Sequence, residues 1–113
     1  MKAVFLFLVF LLCSCQMHNK LGQNALIYSE IAFSYEKAGQ VEKASEYYQK
    51  SIEVSPNLGE VHNNYGAFLC RQGKYKKSLE EFKKAINSTN YADKQAAVEN
   101  ARWCGEVKKH SPV

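Results

Sequence analysis

Apolar residues recur at helical spacing through most of this chain, after a first segment that is apolar throughout. That segment, Ala3 to Cys13, is an unbroken apolar run of 11 residues behind the positively charged Lys2. It is shorter than the roughly 20 residues that a membrane-spanning helix needs. It therefore predicts the apolar part of a signal peptide, followed by an all-α protein. The predicted helices cover residues 24–38, 41–54, 58–72, 75–88 and 92–108.

The apolar run ends in Leu12-Cys13-Ser14-Cys15. This segment resembles the bacterial lipobox, in which the last cysteine receives a diacylglyceryl group and becomes the first mature residue. The resemblance implies a signal peptide over 1–14, lipidation at Cys15 and a lipidated tether over 15–23. The alternative is an ordinary signal peptide with two incidental cysteines. Gln16 follows Cys15 in place of the Asp that often retains such proteins at the inner membrane, which favours a lipid-anchored protein of the outer membrane, facing the periplasm.

Charge and composition exclude several classes of function. The 113 residues allow one domain and carry a net charge of +4. The lysines between 74 and 84 are interrupted by Glu80 and Glu81, which indicates a solvated helix face and no nucleic-acid surface. The sequence has no His pair at i, i+4, no Cys-x-x-Cys and no glycine-rich phosphate loop. We therefore predict no catalytic residue, metal site, cofactor or small-molecule substrate.

The segment from Ala25 repeats from Gly59, 34 residues later. Small, aromatic and apolar residues occupy matching positions in both copies, and Gly39 and Gly73 also match. This pattern resembles the tetratricopeptide repeat (TPR), whose period is 34 residues. The first copy carries Tyr28, Ile31, Ala32, Tyr35, Ala44, Tyr48, Ser51 and Pro56, and the second carries His62, Tyr65, Gly66, Leu69, Ser78, Phe82, Ala85 and Asn90.

The residue types at these positions have physical reasons. Small residues allow two antiparallel helices to cross closely. We therefore expect Ala32 to face Ala44 and Gly66 to face Ser78. Glycine permits the left-handed conformation that ends a helix, so Gly39 and Gly73 are expected to end the first helix of each repeat. The fifth predicted helix lacks a following partner and is expected to pack as the first helix of a third repeat. The TPR domain then covers residues 24–110, as two helix-turn-helix repeats and a capping helix.

Cys70 and Cys104 remain once Cys13 and Cys15 are assigned to the lipobox. In an oxidising periplasm such a pair forms a disulfide, and the alternative is two buried thiols. A strict period of 34 residues would place both cysteines at the same repeat position, about 10 Å apart on neighbouring helices. A bridge needs Cα atoms within about 7 Å.

A narrower resemblance covers residues 60–104. The run Asn-Asn-Tyr-Gly-Ala-Phe-Leu-Cys at 63–70 and the later Glu-Asn-Ala-Arg-Trp-Cys at 99–104 look like the PilF/PilW family, the outer-membrane TPR lipoproteins of type IV pilus biogenesis. Family members usually carry about six repeats, and Arg102 replaces a small residue of the second motif. The family alignment lengthens the second repeat by two residues, which places Cys104 at position 10 and suits a bridge to Cys70 better.

The resemblance implies a protein partner, the pilus secretin, whose localisation or assembly the lipoprotein assists. The alternative is an envelope scaffold that binds other proteins without any pilus role. On the TPR pattern, Phe33 and Leu26 offer an apolar anchor in a concave groove, and Arg71 and Lys37 a charged clamp. The alternative for Phe33 is burial against a neighbouring helix. On the TPR pattern the residues that point into the groove are Leu26, Ser29, Phe33, Glu36, Lys37, Glu60, Asn63, Ala67, Cys70 and Arg71. Eight of them, all but Glu60 and Cys70, are predicted to bind the partner, and Cys70 is expected to be structural.

Overall fold

The computed structural model describes residues 2–112, and these form five α-helices without a strand. The predicted all-α fold is therefore confirmed. The four later helices begin and end within two residues of their predicted bounds. The helices are α1 (Lys2–Lys37), α2 (Val41–Val54), α3 (Gly59–Arg71), α4 (Tyr75–Asn87) and α5 (Lys94–His110).

The first helix is much longer than predicted, because it begins at Lys2 and not at residue 24. Residues 15–23, predicted as a tether, are helical and continuous with the helix of the first repeat. By length and composition α1 could cross a membrane, and none of its most apolar stretch is buried. A signal sequence near the N-terminus has the same properties. Cys13 and Cys15 are exposed free thiols on this part of the helix.

Glycine ends the first helix of each hairpin, as the sequence predicts. Gly39 and Gly73 have positive φ angles of 75° and 76°. The reversal after α1 is held by backbone bonds from Gly39 N–H to the Glu36 carbonyl at 3.0 Å and from Gln40 N–H to the Tyr35 carbonyl at 2.9 Å. These bonds satisfy carbonyl groups that the end of a helix would otherwise leave unpaired. The chain can then return at once as the second helix.

Small residues lie where the helices of a hairpin cross. Ala32 and Ala44 are fully buried at the crossing of α1 and α2. In the second hairpin the Ser78 hydroxyl donates to the Gly66 carbonyl at 2.7 Å. A Cβ atom on Gly66 would lie 2.9 Å from the ring of Phe82. This close approach explains why the position takes a residue without a side chain.

Aromatic rings join the two hairpins into one core. Tyr48 of α2 packs against Phe68 of α3 with 4.9 Å between ring centroids, and Tyr65 stacks on Phe68 at 6.1 Å. All three side chains are buried. Burial of such large rings is the main apolar contribution to holding one repeat on the next.

The fifth helix follows the second repeat in the longer register. Ala97 and Cys104 are fully buried, and each lies 36 residues after its buried counterpart in α3, Val61 or Phe68. In this register α5 packs as the first helix of a third repeat. A disulfide joins Cys104 to Cys70, with 5.8 Å between the Cα atoms. The N-terminus of α5 is capped by Asp93, whose carboxylate accepts from Ala96 N–H at 3.1 Å.

Candidate protein-binding groove

A groove with a volume of about 490 Å³ lies between α1 and α3. These are the first helices of the two hairpins, so they point in the same direction, and Tyr48 of α2 contributes to the base. The volume falls in the range of pockets that bind small ligands. The lining residues are Leu26, Ser29, Glu30, Phe33, Ser34, Tyr48, Glu60, Asn64, Ala67 and Arg71.

Phe33 is the main apolar side chain of the groove. It is 46% exposed, so the prediction that it stands open is correct and the alternative of burial is wrong. Leu26 precedes it by two helical turns and Ala67 lies on the opposite wall. The Lys37 ammonium group lies 5.1 Å from the centre of the Phe33 ring. This distance is typical of a cation–π contact, which leaves Lys37 beside the groove and outside its lining.

Arg71 is paired within the protein. Its guanidinium donates two hydrogen bonds to Glu36, from Nε at 2.6 Å and from Nη2 at 2.9 Å. The hydrogen bond to Glu36 is the main reason why the pKa of Arg71 is raised. The hydroxyl of Tyr48 donates to the same carboxylate at 3.4 Å. Burial, followed by the charge of Glu36, raises the pKa of Tyr48 to about 12.

The pairing corrects the predicted clamp of Arg71 and Lys37. Glu36 already neutralises the Arg71 charge, and the Glu36 side chain is only 12% exposed. The second cation, Lys37, lies on the Phe33 ring. A partner's carboxylate would therefore have to compete with a two-bond internal ion pair.

Asn63 was predicted in the groove, and this prediction is wrong. The side chain is buried; its amide donates to the Tyr91 hydroxyl at 3.1 Å and its oxygen accepts from Asn100 at 3.0 Å. Both partners lie toward α5, on the side of α3 away from α1. The next residue, Asn64, lines the groove. Cys70 is also absent from the lining, since it is buried in its disulfide.

Five of the eight residues predicted to bind a partner line the groove: Leu26, Ser29, Phe33, Ala67 and Arg71. Glu60 lines it as well. The hydroxyl of Ser29 is buried and lies 2.8 Å from that of Ser51, so it serves the packing of α1 on α2. Sequence reasoning missed Glu30, Ser34, Tyr48 and Asn64 as groove residues. A signal for two of them was present, because Leu26, Glu30 and Ser34 recur every four residues along one face of α1.

Comparison with known proteins assigns the fold to a family. Residues 28–101 match the family described as "Cilia and flagella-associated protein 70 middle TPR-like domain". The chain belongs to this TPR-like domain family. The TPR-like match begins within α1, covers all of α2, α3 and α4, and ends after the first eight residues of α5. TPR-like domains are scaffolds for interactions between proteins, and their helical fold is typically non-enzymatic.

The TPR-like chain is also similar to a bacterial protein. A protein of Haemophilus influenzae, described as an "Uncharacterized protein", is 37% identical over 79 residues, which cover 70% of this chain. The same residues cover 44% of the relative, so the chain spans less than half of its length. No solved structure matches the chain.

Proposed function

We propose that this protein is a lipoprotein anchored through Cys15 in the outer membrane, whose groove binds the pilus secretin subunit and promotes its localisation or assembly. The observation that carries the binding role is Phe33, a large aromatic side chain that stands open in the middle of a groove. Aromatic residues in pockets are frequent anchors of protein–protein binding. The lipobox at 12–15 and the PilF/PilW-like run at 63–70 support the lipid anchor and the pilus role.

A second candidate is an envelope scaffold that binds proteins without a pilus role. Its support is the position of the PilF/PilW-like run in the fold. Tyr65, Gly66, Phe68, Leu69 and Cys70 are all buried. The run therefore stabilises helix packing, and of its residues only Asn64 and Ala67 line the groove. A shared core is compatible with a different partner.

The experiment deletes the gene in its own bacterium and measures heat-resistant secretin multimers. We expect fewer multimers, restored by the wild-type gene and not by Phe33→Ser. The matched control is Ile27→Ser, because Ile27 is 53% exposed on the same helix and lies outside the groove. It should restore the multimers. An unchanged multimer level in the deletion strain would reject the pilus role and leave the general scaffold.

A further inference from the structure

The groove between α1 and α3 has negative charge that the protein itself does not compensate. Three charged residues line it: Glu30, Glu60 and Arg71. The Arg71 charge is matched by Glu36 through two hydrogen bonds. Within residues 2–112, neither Glu30 nor Glu60 takes part in an ion pair. The groove therefore favours a cationic ligand.

The charges are arranged along the length of the groove. Because α1 and α3 point in the same direction, Glu30 and Glu60 both precede the apolar Phe33 and Ala67 and lie toward the N-terminal end. The Arg71–Glu36 pair lies at the other end. Lys37, on the face of the Phe33 ring, adds a positive charge there. A ligand thus meets carboxylates at one end, an apolar middle, and a cation at the far end.

We propose that the groove binds a segment of a partner protein that presents arginine or lysine side chains to Glu30 and Glu60 and a large apolar side chain to Phe33. This inference rests on the proposed protein-binding function and specifies the chemistry of the partner. The groove volume of about 490 Å³ is large enough to accommodate side chains of such a segment. Contact with the Phe33 ring supplies apolar burial, while the carboxylates on opposite walls fix which end of the segment is cationic.

An acidic segment fits the same groove poorly. Its carboxylates would lie against Glu30 and Glu60, and like charges brought together at an interface oppose binding. To reach Arg71 it would also have to displace Glu36, which holds the guanidinium through two bonds. The charge pattern therefore distinguishes between two otherwise similar apolar ligands.

The test uses the full chain in a non-ionic detergent and three fluorescent octapeptides of equal length. The first peptide contains two arginines that alternate with leucine and phenylalanine. The second has glutamates in place of the arginines. The third has serines in place of the leucine and phenylalanine. Fluorescence anisotropy should show tightest binding of the first peptide, at least about tenfold tighter than either of the others, which corresponds to about 1.4 kcal/mol. Binding should also weaken as salt is added.

Two double variants distinguish the effect of the groove carboxylates on binding from the effect of the protein's net charge. Glu30→Lys with Glu60→Lys should weaken binding of the arginine peptide at least about tenfold, which again corresponds to about 1.4 kcal/mol. Glu53→Lys with Glu80→Lys changes the net charge equally at exposed sites outside the groove and should leave binding unchanged. Circular dichroism of both variants verifies that they fold.

Four results would overturn the inference: no binding of the arginine peptide, equal binding of the glutamate peptide, equal weakening by both double variants, or self-association that the groove variant alone abolishes. The last result, read by analytical ultracentrifugation, would make a second copy of the chain the occupant. The outcome of the peptide-binding test does not depend on whether the protein has a pilus role. Preserved secretin multimers in the deletion strain would reject that role while leaving a measured preference for cationic peptides intact.

Discussion

The Nδ1 atom of His62 on α3 lies 2.7 Å from a carboxylate oxygen of Glu81 on α4. The other ring nitrogen, Nε2, lies 2.6 Å from the backbone carbonyl of Pro56. Both partners accept hydrogen bonds, so both ring nitrogens donate when the imidazole carries its second proton. The hydrogen bond to Glu81 raises the pKa of His62 above its ordinary value of 6.5, against the opposing effect of burial. A protonated His62 therefore links the turn before α3 to α4.

Stability should depend on pH through this pair. Burial raises the pKa of Glu81, but hydrogen bonds from His62 and Lys84 outweigh it, so the net shift is downward from 4.5. The Glu81 contribution is present above pH 4.5 and is lost as pH falls through the lowered pKa. The His62 contribution is present below pH 6.5 and is lost as pH rises through the raised pKa. We expect higher stability at about pH 5.5 than at about pH 8.5.

Urea unfolding at the two pH values measures this difference. His62→Gln should remove most of the pH dependence and lower the free energy of unfolding at the acidic pH by about 1–3 kcal/mol. His110→Gln is the control, because His110 is exposed near the end of α5. An unaltered pH dependence in His62→Gln would assign it to other groups.

Gly66→Ala should destabilise the protein, although alanine is the better helix former. The new Cβ atom would lie 2.9 Å from the Phe82 ring and 3.2 Å from the Ser78 carbonyl oxygen. Overpacking of this kind costs about 1–3 kcal/mol. Gly105→Ala is the matched control, since nothing lies within 4 Å of its added Cβ, and should stabilise α5 by up to about 1 kcal/mol. Thermal unfolding of both variants checks the prediction. Equal changes in the stability of the two variants would contradict it.

Reduction of the disulfide between Cys70 and Cys104 should lower the free energy of unfolding by about 2–4 kcal/mol. The double variant Cys70→Ser with Cys104→Ser should reproduce that loss without reductant. Thiol labelling of the denatured, unlipidated chain verifies the pairing: Cys13 and Cys15 should react before reduction, and all four cysteines after it. Four reactive thiols in the unreduced chain would show that no bridge forms.

Acylation should occur at Cys15 and not at Cys13. Both thiols are exposed on α1, so accessibility alone does not distinguish them. Their order in the lipobox does, because only Cys15 occupies its last position. Labelled palmitate should enter the wild type and Cys13→Ala and be absent from Cys15→Ala. An unlabelled wild type would mean that the segment is an ordinary signal peptide.

The repeat spacing was sufficient to predict α2, α3, α4 and the turns at Gly39 and Gly73, because those features depend on contacts within one hairpin. Asn63 was misplaced because its environment depends on Tyr91 and Asn100, which reach it from the connection after α4 and from α5. The repeat pattern contains no information on that connection. Likewise, Arg71 looks unpaired in the sequence because Glu36 lies 35 residues away. Only stacking of the two hairpins brings the charges together.

The disulfide has a topological consequence for the C-terminal part of the chain. The covalent ring closed by Cys70 and Cys104 contains all of α4 and the connection over residues 88–93. A protease that cuts this exposed connection once would leave both fragments attached to each other. Exchange of α5 between two molecules is likewise blocked, because Cys104 is bonded to Cys70 of its own chain. The ring thus keeps the end of the array on its own polypeptide even after a backbone break.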